Sequence, residues 1–280
     1  MTGEPPDRVL VTGGAGHVAG WFVRTAPPGV DLHVTEHRTP VPDEVRARVR
    51  VHRVDLEDAD ATKRCLDAVR PDVVLHTAYA QSRRAAIVDA TASVAAAAAA
   101  TGAAVVHQST DVVFAGDRPP YAEDDPVDPI SEYGRWKAAS EVAARAVVPD
   151  LCTTRTSLVV ATDPPDRSTA ALAAALRTGE EVRLFHDELR QPIRSDDLAA
   201  ELWALVALDR EDRAGTWHLP GPEHLSRLEL GRRLAASLGL DASGIVAASA
   251  ASFPTPRARD PFLVGERRSA LGVALRPVGA

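Results

Sequence analysis

Residues 9 to 20 read VLVTGGAGHVAG, an apolar run that breaks into a glycine turn and continues as a helical pattern. A strand can pass into a helix this abruptly only where side chains do not crowd the backbone, and Gly13 and Gly16 supply that freedom. Such a turn leaves the first N–H groups of the helix unpaired and so attracts an anion, above all a pyrophosphate. The spacing is Gly-x-x-Gly-x-x-Ala, with Ala19 at the helix-packing position and Gly20 beside it. An isolated glycine cluster is most often an ordinary turn. At the first strand of an alternating strand-helix array it points to a dinucleotide.

The array is present. Short apolar runs, RVLVTGG, DLHVTEH, VRVHRVD, PDVVLHTA and AAVVHQSTD, alternate with helical stretches, the pattern of βαβ units and a parallel sheet. TASVAAAAAATGA reads as a buried crossover helix that Gly102 closes. A further helix is expected to start near Asp128, Pro129 or Ser131, followed by a strand over LCTTRTSLVV. After Thr162 the rhythm changes: TDPPDR breaks structure and proline and glycine punctuate GTWHLPGPEHLS and SFPTPRARDP. The expectation is an α/β fold, a Rossmann doubly wound parallel sheet over 1–162 with a smaller C-terminal substrate-binding lobe over 163–280. Segments near 186–210 should return to the first domain.

Bulk properties narrow the function. The chain has 280 residues, 45% of them hydrophobic, enough for a large core. A net charge of -7 argues against nucleic acid as partner. Cys65 and Cys152 suggest neither a disulfide framework nor a zinc site, and no metal is expected. The N-terminus lacks a signal-peptide pattern and no apolar run of about 18 residues occurs, so the reading is a cytoplasmic protein without a membrane partner.

Glu36 lies at the end of the second predicted strand, where an acid can accept from adenosine ribose hydroxyls and favour NAD. His37 and Arg38 follow directly, and an arginine there can instead pair with the extra phosphate of NADP. Asp55 can meet the adenine edge or serve as a turn residue. Tyr79, Gln81 and Arg83 follow the fourth strand, at the carboxyl edge where such sheets bind ligands, and can line a substrate pocket or a solvated helix start. Arg257 and Arg259 can grip a substrate diphosphate or stay solvated.

SEYGRWKAAS, residues 131 to 140, sets Tyr133 four residues before Lys137, on one helix face. Of 32 basic residues that are Lys or Arg, only Lys63 and Lys137 are lysines, which suggests that Lys137 must be one. The bland alternative is an ion pair with Glu141. A tyrosine exchanging protons near neutrality must lower its pKa by roughly three units from about 10, or about 4 kcal/mol. One charge about 4 Å away at an effective dielectric near 20 is worth about as much. Lysine, a compact point charge that also hydrogen-bonds ribose, suits that task.

VTGGAG, STDVVFAG, YGRWK and RTSLVV, in that order, resemble the extended short-chain dehydrogenase/reductases. LFHDELRQPIRSDDLA and HLPGPEHLSRLELGRRLAASLGL narrow the resemblance to the dTDP-4-dehydrorhamnose reductase group and its sugar-nucleotide relatives. It implies Tyr133 as proton donor, Lys137 as its partner and ribose ligand, and Thr110 orienting the carbonyl, with Ser109 the alternative. It extends the cofactor set to His17, Val18, Leu56, Thr77 and Ala78, and the substrate set to Asp111. Val112 stands where the group has an aromatic, His76-Thr77-Ala78 where it has Asn-Ala-Ala, and Ile87 where a polar residue is expected. The implied activity is NAD(P)H-dependent reduction of a keto group on a nucleotide-activated deoxysugar, with NADH and NADPH both open and room for a homodimer. The rivals are epimerase or dehydratase chemistry on the same fold and a non-catalytic NAD(P)-binding regulatory subunit.

Overall fold

A computed structural model describes residues 4–279. The first half runs β1 (Arg8–Thr12), α1 (His17–Arg24), β2 (Asp31–Glu36), α2 (Asp43–Arg46), β3 (Arg50–Arg53), α3 (Ala59–Val69), β4 (Val73–His76), α4 (Val88–Thr101), β5 (Ala104–Thr110), α5 (Glu132–Arg145) and β6 (Cys152–Thr156). The second half runs β7 (Val159–Val160), α6 (Arg167–Arg177), β8 (Val182–Phe185), β9 (Leu189–Arg190), β10 (Ile193–Arg194), α7 (Ser195–Val206), α8 (Arg210–Arg213), β11 (Gly215–His218), β12 (Leu225–Ser226), α9 (Arg227–Ser237) and β13 (Ile245–Ala248).

Seven strands form one parallel sheet in the order β11-β6-β5-β4-β1-β2-β3. The chain reverses direction across the sheet after β3, so the carboxyl ends of β1 and β4 flank a crevice, the place where open α/β sheets bind ligands. Both faces are buried, as a parallel sheet requires. Alternate residues of β1 divide between them: Val9 and Val11 join Phe22, Leu198, Leu202 and Trp203, whereas Leu10 joins Leu66, Val74 and Val94. Trp203 stacks on Phe22 with ring centroids 3.9 Å apart and donates its indole N–H to the Phe22 carbonyl, tying α7 to α1.

The alanine run forms α4, ended by Gly102 in the left-handed region (φ 78°), and its Ala90, Ala95, Ala97 and Ala98 are buried. Ser131 caps α5, its Oγ accepting from the Gly134 N–H at 3.0 Å. The stretch expected as a single strand, LCTTRTSLVV, is two: β6 stays in the main sheet and β7 pairs with β10. The part of the second half that returns to the main sheet runs beyond residue 210, because β11 pairs with β6 and buries Trp217. In sequence, the glycine and prolines around Trp217 hide that strand. The remaining lobe packs Leu172, Leu230, Leu234 and Ile245 between α6, α9 and the β8–β13 pair. Among the described residues no helix is long and apolar enough to cross a membrane.

Candidate active site

The glycine turn lies at the carboxyl end of β1. Gly13 has φ 73°, and a Cβ on it would stand 2.8 Å from the Ala78 Cα, so turn and β4 loop meet backbone to backbone. Gly16 is the N-cap of α1. No side chain caps this helix and its first turn holds no acid, so its end offers N–H groups and positive potential to an anion. A Cβ on Gly16 would meet only the Gly13 carbonyl, at 3.0 Å. These features fit a dinucleotide pyrophosphate, with the backbone of His17 and Val18 forming the first helical turn. The His17 ring is turned away, its Nε2 2.6 Å from Ser195 Oγ at the start of α7.

Around the expected adenosine end, Glu36 stands at the tip of β2. Its Oε2 accepts from the Val41 N–H at 2.9 Å and from Arg46 at 2.6 Å. These contacts, the Val41 N–H first, hold its carboxyl below the usual carboxylate range. Arg53 lies opposite Glu36 in the β2–β3 register, and Arg38 is exposed on the loop. Asp55 accepts from the Glu57 N–H at 3.1 Å and lies 3.7 Å from His37, while Leu56 is buried beside it. Thr77 and Ala78 both donate their N–H groups to Thr12 Oγ1.

Residues of β5 alternate, so Ser109 and Thr110 point to opposite sides of the strand. Ser109 is buried and donates to Glu141 on α5, away from the crevice. Thr110 ends the strand, its Oγ1 donating to Asp111 Oδ1 at 3.2 Å, and its polarity lowers the Tyr133 phenol. The glycine in the Tyr-Gly pair has a packing reason: a Cβ on Gly134 would fall 2.2 Å from the Val112 carbonyl. Only glycine lets α5 lie this close and bring Tyr133 to Thr110. The Tyr79 ring stands 6.0 Å from the Tyr133 ring, and the Lys137 ammonium is also 6.0 Å from the Tyr79 centroid.

Lys137 is 4% exposed and its Nζ donates to the Gln108 carbonyl at 2.6 Å. Glu141 is not its ion-pair partner, because that carboxylate is taken by Arg155 at 2.8 Å and by Ser109. Burial pushes the Lys137 ammonium down to about 8, with the charge of Glu141 opposing. The expected lowering of Tyr133 is not what the geometry produces. Burial raises its phenol, Tyr79 and Asp111 add to the rise, and only the Thr110 hydroxyl opposes. Desolvation of the phenolate is the largest cause, and the Lys137 ammonium directs one of its three N–H bonds at the Gln108 carbonyl.

Candidate substrate contacts fall into two groups. Tyr79 and Gln81 are exposed at the mouth, whereas Arg83 is paired with Glu57 at 2.8 Å, beside Asp55 rather than free. Asp111 is buried, accepting from Ser157 at 2.6 Å with Arg190 3.7 Å away; burial raises its carboxyl, against the pull of Arg190. Arg257 is held by buried Glu188, which also takes Arg190 at 3.1 Å, while Arg259 is exposed. Nearby, a mostly apolar cleft of about 330 Å³ is lined by Val160, Leu172, Leu184, Leu230, Leu234 and Arg227. Burial lowers the Arg227 guanidinium. Arg46, Glu188, Arg190, Arg227 and Ser195 escape sequence reasoning, because each meets its partner only through the fold.

The family of the RmlD substrate binding domain matches residues 7–267. The chain belongs to that family. It is 30% identical over 239 residues to a probable low-salt glycan biosynthesis reductase of Haloferax volcanii, covering 80% of this chain and 77% of the relative. A dTDP-4-dehydrorhamnose reductase of Mycolicibacterium smegmatis is 29% identical over 236 residues, 80% of this chain and 71% of that one. Among solved structures, the dTDP-glucose 4,6-dehydratase DesIV of Streptomyces venezuelae, with NAD and TYD bound, superposes with a TM-score of 0.81 at 25% identity, covering 96% of this chain and 92% of that one. RmlD-family membership and this superposition agree with the Rossmann sheet and C-terminal lobe described above. Reductase and dehydratase share the architecture, so the choice between them falls to the side chains.

Proposed function

We propose that the protein reduces a keto group on a nucleotide-activated deoxysugar, of the dTDP-4-dehydrorhamnose type, with NAD(P)H. The observation that carries this reading is the convergence of Thr110, Tyr133 and Lys137 on the sheet edge that also bears the uncapped glycine turn. When bound over that turn, NAD(P)H supplies the hydride. Thr110 holds the carbonyl oxygen by its hydroxyl. As the carbon is reduced, Tyr133 gives its phenolic proton to that oxygen, and the Lys137 ammonium stabilises the phenolate until solvent reprotonates it. A raised phenol suits this direction, because the donor stays protonated at neutral pH and the alkoxide it meets is more basic still.

The nucleotide end is proposed to enter the lobe, with the base in the apolar cleft and the diphosphate near Arg227 and Arg257. Elimination of water would need a further free acid or base beside Thr110. The carboxyl there, Asp111, is held by Ser157 and Thr110, and the next residue is Val112. A homodimer through α5 is part of the proposal, since Val142 and Val147 are exposed on and just past that helix. So is a reducing, cytoplasmic setting, consistent with two buried free thiols. The test is to offer dTDP-, UDP- and GDP-linked keto-sugars with NADH and NADPH and analyse the products. A stereochemically defined alcohol with matching cofactor oxidation supports the reading. Release of water without net oxidation of NAD(P)H would instead make it a dehydratase.

A further inference from the structure

Two histidines that take no part in this chemistry lie beneath the site. Thr12, His76 and His107 occupy one row across β1, β4 and β5. Both imidazoles are 1% exposed and stack with centroids 5.4 Å apart and planes 22° from parallel. Their proton positions follow from the heavy atoms alone. Thr12 Oγ1 accepts from the N–H groups of Thr77 and Ala78, at 3.1 and 3.2 Å, so both its lone pairs are used. Its own proton must go to His76 Nδ1, 2.7 Å away. The His76 proton therefore sits on Nε2, which donates to Thr91 Oγ1 at 2.9 Å, and Thr91 donates onward to the Ile87 carbonyl.

The second ring follows the same logic. Ser140 Oγ donates to the Lys137 carbonyl at 2.7 Å and so accepts from His107 Nε2–H at 3.0 Å. His107 Nδ1 carries no proton and, among the described residues, has no partner. One directed chain thus starts at the N–H groups of the β4 loop that carries Tyr79, passes through Thr12 beside the glycine turn, and ends on the Ile87 carbonyl. The other ends on the backbone of Lys137.

We infer that the stacked imidazoles are a pair of positioning residues for the reduction. His76 fixes the spacing between the glycine turn and the Tyr79 loop, and with it the seat of the cofactor. His107 fixes the height of Lys137 along α5. A phenylalanine in either place would preserve the stack but strand the hydroxyl partners, whereas the imidazole supplies one donor and one acceptor in the required order. This inference rests on reading the glycine turn as the NAD(P)H seat and Lys137 as the partner of Tyr133.

Nitrogen NMR of the imidazoles in the cofactor-free parent protein is the first test. Both rings are expected as neutral Nε2–H tautomers at neutral pH; an Nδ1–H tautomer or an imidazolium at either ring overturns the arrangement. Failure of the parent protein to bind NAD(P)H would refute the site reading and is seen separately. In fluorescence titrations, His76→Phe and Thr12→Ala should each weaken NAD(P)H binding about tenfold, the scale of one buried hydrogen bond. The double variant should be no weaker than Thr12→Ala alone, because that change already removes the hydroxyl through which His76 acts. Thr12→Ser, which keeps the hydroxyl, should recover most of the affinity. His107→Phe should lower kcat by about tenfold with little change in cofactor Kd, again the scale of one buried hydrogen bond. Variants that shift only the melting temperature, with parental Kd and kcat, would reduce both histidines to core residues.

Discussion

Lys137 is buried, donates to a backbone carbonyl and has its ammonium pushed down to about 8. Its charge is therefore present below about pH 8 and lost as pH rises through that value. If the ammonium stabilises the Tyr133 phenolate, turnover should fall about tenfold per pH unit on the alkaline side, from a midpoint near 8. Lys137→Arg should move this limb upward, because a guanidinium stays protonated, while its wider fork leaves turnover below the parent's. A pH-rate profile of both proteins checks this; a parental limb in Lys137→Arg would assign the titration elsewhere. The pair itself was legible in sequence, since four-residue spacing on a helix needs no knowledge of the fold. The direction of the Tyr133 shift was not, because it depends on burial and then on the charges of Tyr79 and Asp111, which the spacing of Tyr133 and Lys137 does not reveal.

If the dinucleotide lies over the glycine turn, cofactor choice should be decided where the end of β2 meets α2. Glu36 offers a carboxylate for ribose hydroxyls but is held by Arg46, ten residues on in a single turn of helix that the sequence pattern did not announce. Removing the acid should free Arg46 for a 2′-phosphate. Glu36→Ala is expected to weaken NADH binding and strengthen NADPH binding, each by about tenfold, the scale of one charged hydrogen bond. Adding Arg46→Ala should abolish the NADPH gain. Titration of both cofactors against the single and double variants tests this, and an NADPH gain that survives the second change would exclude Arg46 as the phosphate partner. The strand-turn-helix at β1 was readable because glycine spacing is local. The contacts of Asp111 with Ser157 and Arg190 were not, because they join residues 46 or more positions apart.

Several histidines make the whole molecule sensitive to acid. Burial pushes His76 down to about 3 and His218 to about 4, and lowers His107 well below its usual value. The unfolded chain takes up these protons first, near pH 6.5, so stability is complete above that value and is lost as pH falls toward the folded values. Each such histidine contributes a slope of about 1.4 kcal/mol per pH unit, and the raised carboxyls of Asp111 and Glu201 oppose it. Urea unfolding should therefore show near-constant stability from pH 8 to about 6.5 and a loss of several kcal/mol by about pH 4.5. Unchanged stability over that range would mean the imidazoles are not held neutral. At this scale the sheet was legible and the return of β11 was not, since glycine and proline around Trp217 mask a strand whose burial comes from its neighbour β6.

The central claim is that Tyr133 protonates the carbonyl oxygen during reduction, and one comparison tests it most directly. Single-turnover reduction of dTDP-4-dehydrorhamnose by NADH or NADPH should be measured for the parent protein and for Tyr133→Phe, with cofactor Kd determined in parallel. The phenylalanine keeps the ring beside Tyr79 and loses only the hydroxyl, so cofactor Kd should stay near the parental value while the rate falls by about 10² or more. A Tyr133→Phe protein that reduces the substrate at the parental rate would contradict the account.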